Sequence, residues 1–203
     1  MNLPNRLTLL RIILAPIFLV LLMWEFPFHY LIAGLVFGAA SVTDLLDGKI
    51  ARERGLITNL GKFLDPLADK MLTTAAFLGF MVAAPLSAYS GWITWAVMIV
   101  LTREFLVTSV RLLAAKGGKV VAASMWGKAK TVAQMIAIIY TIAALEFSTW
   151  QTHILSGVAF PEWLYTALLV FGVVCVWVST VLTVIAGIEY FWQNREFFLS
   201  DEK

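Results

Sequence analysis

The sequence predicts an all-α integral membrane protein of six transmembrane helices, preceded by a short N-terminal interfacial helix, with both termini cytoplasmic. Three observations predict it. The 203 residues are 61% hydrophobic and only 14% charged, with a mean hydropathy of +0.86, where soluble domains are about 45–50% apolar and about 25% charged. Apolar stretches long enough to cross a hydrocarbon core of about 30 Å alternate with short polar interruptions. The positive charge falls on alternate loops only.

The elements follow in order. Asn2–Arg11 reads as an amphipathic interfacial helix, with Leu3, Leu7 and Leu10 opposing Asn5 and Arg6. Six spans are expected near Leu7–Trp24, His29–Leu46, Phe63–Ala84, Gly91–Ala114, Val132–Phe147 and Leu164–Tyr190. The fifth is adequate in length if it begins near Trp126. A secretory signal peptide is a poor reading of the first, because no small-residue cleavage site follows Met23. Neither an internal repeat nor a low-complexity tract interrupts the chain, so residues 1–203 are expected to form a single domain.

All 15 Lys and Arg lie in or near the N-terminus, the second loop, the fourth loop or the C-terminus, and the other three loops carry none. By the positive-inside bias, the termini and the two basic loops face the cytoplasm. Trp24, Trp92, Trp95, Trp150 and Trp163 then mark the outer boundary and Trp126 and Trp192 the inner one, as interfacial aromatics do. His29 and His153 stand singly at the outer boundary and read as surface residues. Cys175, the one cysteine, excludes an intrachain disulfide and a thiolate metal site. A nucleic-acid-binding basic domain is excluded by composition.

The acids carry the chemistry. Of 13 Asp and Glu, four Asp fall between Thr43 and Lys70. Asp44 and Asp47 are spaced i,i+3, and Asp65 and Asp69 i,i+4, so each pair shares one helix face. The first pair closes the second helix and the second pair opens the third. Antiparallel packing would gather all four at the cytoplasmic boundary. Four carboxylates in a low-dielectric setting require protonation, cationic partners or metal. Oxygen ligands without His or Cys favour Mg²⁺, Mn²⁺ or Ca²⁺. The plain alternative makes them solvated charges paired with Lys49, Arg52, Lys62 and Lys70. Against it stand the cost of boundary carboxylates and the small residues Gly48, Ala51 and Gly61, which would admit a ligand close to backbone.

Asp44, Asp47, Gly48, Ala51, Arg52, Gly61, Asp65 and Asp69 meet the spacing D-x2-D-G-x2-A-R-x8-G-x3-D-x3-D without a gap. This pattern, spanning residues 44–69, resembles the signature of the CDP-alcohol phosphotransferases, membrane enzymes of phospholipid synthesis. The resemblance implies that a small alcohol attacks CDP-diacylglycerol and releases CMP. It implies two divalent cations, Mg²⁺ or Mn²⁺, on Asp44, Asp47, Asp65 and Asp69, with Asp69 as general base and Asp65 beside it as the second catalytic carboxylate. It places Thr43, Asp44, Gly48, Ala51, Arg52 and Gly61 at the nucleotide, within reach of Asn5 and Thr8 of the first segment. It also implies a homodimer, with the third and fourth helices as the expected interface, in a bacterial cytoplasmic (inner) membrane with the active site facing the cytoplasm.

The remaining charges bear on the acceptor. Arg103 and Glu104 lie inside the fourth helix, Arg111 two turns further along it, and Lys128 and Lys130 at the start of the fifth. Arg103 and Glu104 read equally well as a bracing pair, and the other three as positive-inside anchors. A basic pocket of Arg103, Arg111, Lys128 and Lys130 would instead suit an acceptor carrying its own phosphate. Glycerol 3-phosphate or inositol phosphate fits this better than serine, whose ammonium is repelled. The segments Asn2–Arg11, Gly61–Lys70, Thr102–Ala115 and Gly127–Thr131 resemble the bacterial branch of the family whose acceptor is glycerol 3-phosphate. A divalent-cation transporter is disfavoured, since such sites lie near the midplane between repeated halves. A non-enzymatic interaction module leaves the intact signature unexplained.

Overall fold

The computed structural model describes residues 2–53, 58–116, 125–153, 161–193 and 195. Six long helices account for nearly all of them: α1 (Leu3–Met23), α2 (His29–Glu53), α3 (Asn59–Val82), α4 (Ser90–Lys116), α5 (Met125–His153) and α6 (Glu162–Gln193). A 3₁₀ turn at Ala84–Tyr89 joins α3 to α4. The described residues contain no strand.

The first expectation to fail is the separate interfacial helix. Leu3–Arg11 runs straight into the first long helix as one element. Pro4 sits in its opening turn, where the missing N–H costs nothing, and no breaker follows before Pro16. The polar face also points the other way: Asn5, Thr8 and Arg11 are buried, while Leu3, Leu9 and Leu10 are exposed. In a bundle whose outside is apolar, the polar stripe of a helix turns inward.

α1, α3 and α5 begin several residues earlier than expected, α5 at Met125, and α2 runs seven residues beyond Leu46. Among the described residues, four segments are long and apolar enough to cross a membrane: α1, Ala84–Arg111, α5 and α6. α2 and α3 are 25 and 24 residues long, but charge concentrates in the C-terminal part of α2 and the N-terminal part of α3, which carry the Asp signature.

The helices close a ring in the order α1, α2, α5, α6, α4, α3. Alanines at 33, 40, 76, 96 and 137 are fully buried and let backbones approach. Phe18, Phe37, Phe77 and Phe80 fill the space between them. Leu35, Trp92, Trp95, Ile136, Ile188 and Trp192 face outward, as a lipid-facing exterior requires.

His29 is the second correction. It is buried, and its Nδ1 lies 3.1 Å from the carbonyl oxygen of Leu21. Next to it, the buried Glu146 carboxylate accepts from the Leu31 N–H at 2.9 Å and from Trp150 Nε1 at 2.9 Å. This carboxylate of α5 thus caps the start of α2, where orphan N–H groups and the positive end of the helix dipole favour an anion. The side chain of His153 lies outside the described residues.

Candidate active site

The site is built from both ends of the signature and from α1, which packs against both α2 and α3. Direct contact between α2 and α3 is sparse, so the expected antiparallel pairing of the two Asp-bearing helices is replaced by an arrangement with α1 between them. Arg11 on α1, fully buried, forms an ion pair with Asp44 on α2. One turn earlier on the same face, the Thr8 hydroxyl donates to Asp65 Oδ1 on α3 at 2.8 Å. One turn earlier again, Asn5 exchanges hydrogen bonds with Thr58: Asn5 Nδ2 to Thr58 Oγ1 at 3.0 Å, and Thr58 Oγ1 to Asn5 Oδ1 at 3.1 Å. Spacing i, i+3, i+6 puts the three polar residues of α1 on one stripe.

Thr58 is also the N-cap of α3 and accepts from the Gly61 N–H at 3.0 Å. Gly61 gives this pair room, since any larger residue would oblige a neighbouring side chain to shift. A Cβ at that position would stand 2.9 Å from Asn5 Oδ1 and 3.2 Å from Thr58 Oγ1. Further along α3, Asp65 and Asp69 are exposed, with Pro66 between them leaving one intrahelical bond unmade. Asp69 feels the like charges of Asp44 and Glu104 and the opposite charges of Lys130 and Arg11. Asp44, Asp65 and Asp69 therefore belong to one neighbourhood. Asp47, Ala51 and Arg52 lie on α2, but their side chains are outside the described residues. Thr43 on α2 turns its hydroxyl onto the Ala40 carbonyl oxygen at 2.6 Å, and Gly48 is half-buried on the same helix.

The donor set suits a hard divalent cation in kind, being oxygen throughout and richer in carboxylates than in the one guanidinium of Arg11. Among the described side chains, no three of His, Cys, Asp or Glu converge as a cage. Asp47 is not one of them.

A second charged group adjoins the first. Glu104 on α4 is the hub of three cations: it pairs with Lys130 of α5, with Arg103 Nη1 at 3.1 Å and with Lys70 Nζ at 3.6 Å. Lys70 also donates to the Glu104 carbonyl oxygen at 3.2 Å and to the Thr108 hydroxyl. Three cations on one carboxylate leave two positive charges in surplus, in side chains that are largely buried. Arg103 and Lys130 are thereby brought together, whereas Arg111 and Lys128 are exposed on α4 and α5. Lys70 and Glu104 are site residues the acceptor expectation omits. The signal for Glu104 is present, since it lies within the apolar segment Ala84–Arg111 and ionisable residues inside such a segment are rarely idle.

An α-helical membrane bundle with carboxylates facing one end of α1, bordered by surplus positive charge, fits a class: a membrane enzyme for phosphate-bearing substrates. The sequence model of the CDP-alcohol phosphatidyltransferases matches residues 1–185, and the chain belongs to that family. It is 40% identical over 207 residues to a Bacillus subtilis protein named CDP-diacylglycerol–glycerol-3-phosphate 3-phosphatidyltransferase, covering 96% of each chain. It is 34% identical over 191 residues to the Salmonella typhimurium protein of the same name, covering 93% of this chain and 92% of that one. A probable phosphatidylglycerophosphate synthase of Mycobacterium tuberculosis is 40% identical over 140 residues, 68% of this chain and 64% of that one.

Proposed function

We propose that this chain transfers the phosphatidyl group of CDP-diacylglycerol to glycerol 3-phosphate, giving phosphatidylglycerophosphate and CMP. The observation that carries this reading is that Asp69 lies within electrostatic reach of both charged groups, of Asp44 and Arg11 in the first and of Lys130 and Glu104 in the second. A diphosphate substrate and a phosphorylated acceptor need such neighbouring sites of opposite character. The names of the Bacillus and Salmonella relatives support the same acceptor.

In this mechanism Asp44, Asp47, Asp65 and Asp69 would hold two divalent cations, Mg²⁺ or Mn²⁺. When bound, these offset the charge of the diphosphate. The nucleotide lies against Thr43, Gly48, Ala51, Arg52 and Gly61, with Asn5 and Thr8 fixing α1 beside it. Arg103 and Lys130 receive the acceptor's phosphate, and the exposed Arg111 and Lys128 draw it in. The acceptor hydroxyl oxygen bonds to the lipid-side phosphorus, its proton passes to the Asp69 carboxylate, and the bond to CMP breaks. Asp65, bonded to Thr8, holds the neighbouring position steady.

The one-sided distribution of Lys and Arg supports six spans, with α2 and α3 crossing as partners of the four apolar segments. It also supports cytoplasmic termini and an active site at the cytoplasmic face of a bacterial inner membrane. We take residues 1–203 as one domain and the working form as a homodimer through α3 and α4.

The test is a panel of acceptors offered to purified protein with CDP-diacylglycerol and Mg²⁺ or Mn²⁺, with CMP release as readout. Glycerol 3-phosphate is expected to release CMP, and Asp69→Asn to abolish release while the protein stays folded. Silence with every acceptor would overturn the enzyme reading, and release with serine or inositol phosphate alone would overturn the acceptor.

A further inference from the structure

A cavity of about 580 Å³ opens on the outer surface of the bundle between α4 and the last turns of α6. Val184, Ile188 and Phe191 form its apolar wall, Trp192 stands at its rim, and Arg103 and Arg195 bring the only charges among the described residues of its lining. Ile188 and Trp192 are largely exposed, so the cavity faces the surrounding bilayer and not the bundle interior. Its floor is Gly187, where a Cβ would stand 3.0 Å from Arg103 Cγ. The absent side chain lets the Arg103 stem lie flat on α6. Arg195 is held over the Trp192 ring, its guanidinium carbon 4.8 Å from the ring centroid, which limits the rotamers available to a long exposed side chain.

An apolar trough open to lipid, whose described lining carries two guanidinium groups and no carboxylate, is complementary to one kind of occupant. Neutral acyl chains alone would leave the Arg195 guanidinium with no anionic partner among the described residues, at a boundary where an anionic headgroup is favoured. A zwitterionic headgroup would bring its own cation to Arg195. We infer that this cavity binds an anionic glycerophospholipid, with an acyl chain along Val184, Ile188 and Phe191 and the headgroup phosphate on Arg195 and Arg103. Arg103 has a second engagement, through Nη1 with Glu104, the carboxylate that also holds Lys70 and Lys130. Lipid in the cavity and anion at the Glu104 group therefore meet at one side chain. The inference does not depend on the transferase reading, since no turnover enters its test.

The experiment uses the full chain in phosphatidylcholine nanodiscs, with bromine on the acyl chains of a titrated second lipid. Trp192 emission is isolated as the difference between wild type and Trp192→Phe. Brominated phosphatidylglycerol is expected to half-quench this emission at a mole fraction about fivefold lower than brominated phosphatidylcholine, the preference one cation near a membrane surface confers. Arg195→Gln should erase the preference and Arg195→Lys should keep most of it. Equal quenching by both lipids, a preference that survives Arg195→Gln, or a Trp192 shielded from both as a second copy would shield it, would each overturn the inference. So would loss of the preference on adding millimolar inorganic phosphate, which would make the occupant a free anion.

Discussion

The Thr8 hydroxyl on α1 lies 2.8 Å from Asp65 Oδ1 on α3, joining residues 57 positions apart at the centre of the carboxylate group. A carboxylate that binds metal is oriented by such a partner, and losing one costs about 10–100-fold in metal affinity. Thr8→Val keeps the size and branching of the side chain and removes only the donor. The Mg²⁺ concentration giving half-maximal CMP release is expected to rise by about tenfold, and Thr8→Ser to restore it. A valine variant with the wild-type metal requirement would separate Thr8 from the site.

Gly61 tests the junction of α1 with α3. A methyl group there would meet Asn5 Oδ1 at 2.9 Å, closer than Cβ atoms are found, so Asn5 must swing away from Thr58. Gly61→Ala is expected to raise KM for CDP-diacylglycerol by about tenfold, as the loss of one or two hydrogen bonds of about 1 kcal/mol would. Combining it with Asn5→Ala should recover part of the loss by making room. If the double variant is worse than wild type by the full product of the two single effects, the two residues do not share a contact.

At the opposite end of the bundle, Glu146 predicts stability and not activity. Its two oxygens serve the Leu31 N–H and Trp150 Nε1, each at 2.9 Å. Glu146→Ala leaves both donors, in part-buried hydrogen bonds, without this acceptor, at a cost of about 1 kcal/mol apiece. Thermal unfolding in detergent should move down by several degrees, with Glu146→Gln intermediate. Turnover per folded molecule at low temperature should stay at the wild-type level, because Glu146 is far along α5 from Lys130.

How far the sequence led differs by residue. Asp44, Asp65 and Asp69 were legible because a carboxylate near a span is costly enough to demand a reason, and their spacing supplied the face. That α1 lies between α2 and α3 was not legible, since Leu3–Arg11 carries both an amphipathic pattern and enough apolar length to continue the span. Asn5, Thr8 and Arg11 at i, i+3, i+6 on an otherwise apolar helix were the available sign; Asn5 and Thr8 were expected within reach of the nucleotide, but on a separate interfacial helix and not on the span itself. His29 misled for a related reason: a lone ring at a helix start gives no hint that a carbonyl, Leu21's, waits one loop away. Arg103, Lys130 and Lys70 were readable as charges but not as a set, because Glu104 gathers them from three helices.

The Glu104 group gives the sharpest test, by contrast with its exposed neighbours. Lys130 is 13% exposed in its side chain and pairs with Glu104, whereas Arg111 is exposed. Removing Lys130 lowers the surplus charge of the group from two to one in a poorly screened setting. A charge-assisted hydrogen bond to phosphate is worth about 1.5–3 kcal/mol, so Lys130→Ala is expected to raise KM for glycerol 3-phosphate by about 10–100-fold. KM for CDP-diacylglycerol should move little. Arg111→Ala should act on the same KM more weakly, and its effect should fade as salt is raised, because exposed charges lose their reach beyond a Debye length of about 10 Å at 0.1 M and about 3 Å at 1 M. The Lys130→Ala effect should persist across that range. If both effects vanish together with salt, the Glu104 group acts only through its distant field, and the acceptor's phosphate does not rest on Lys130.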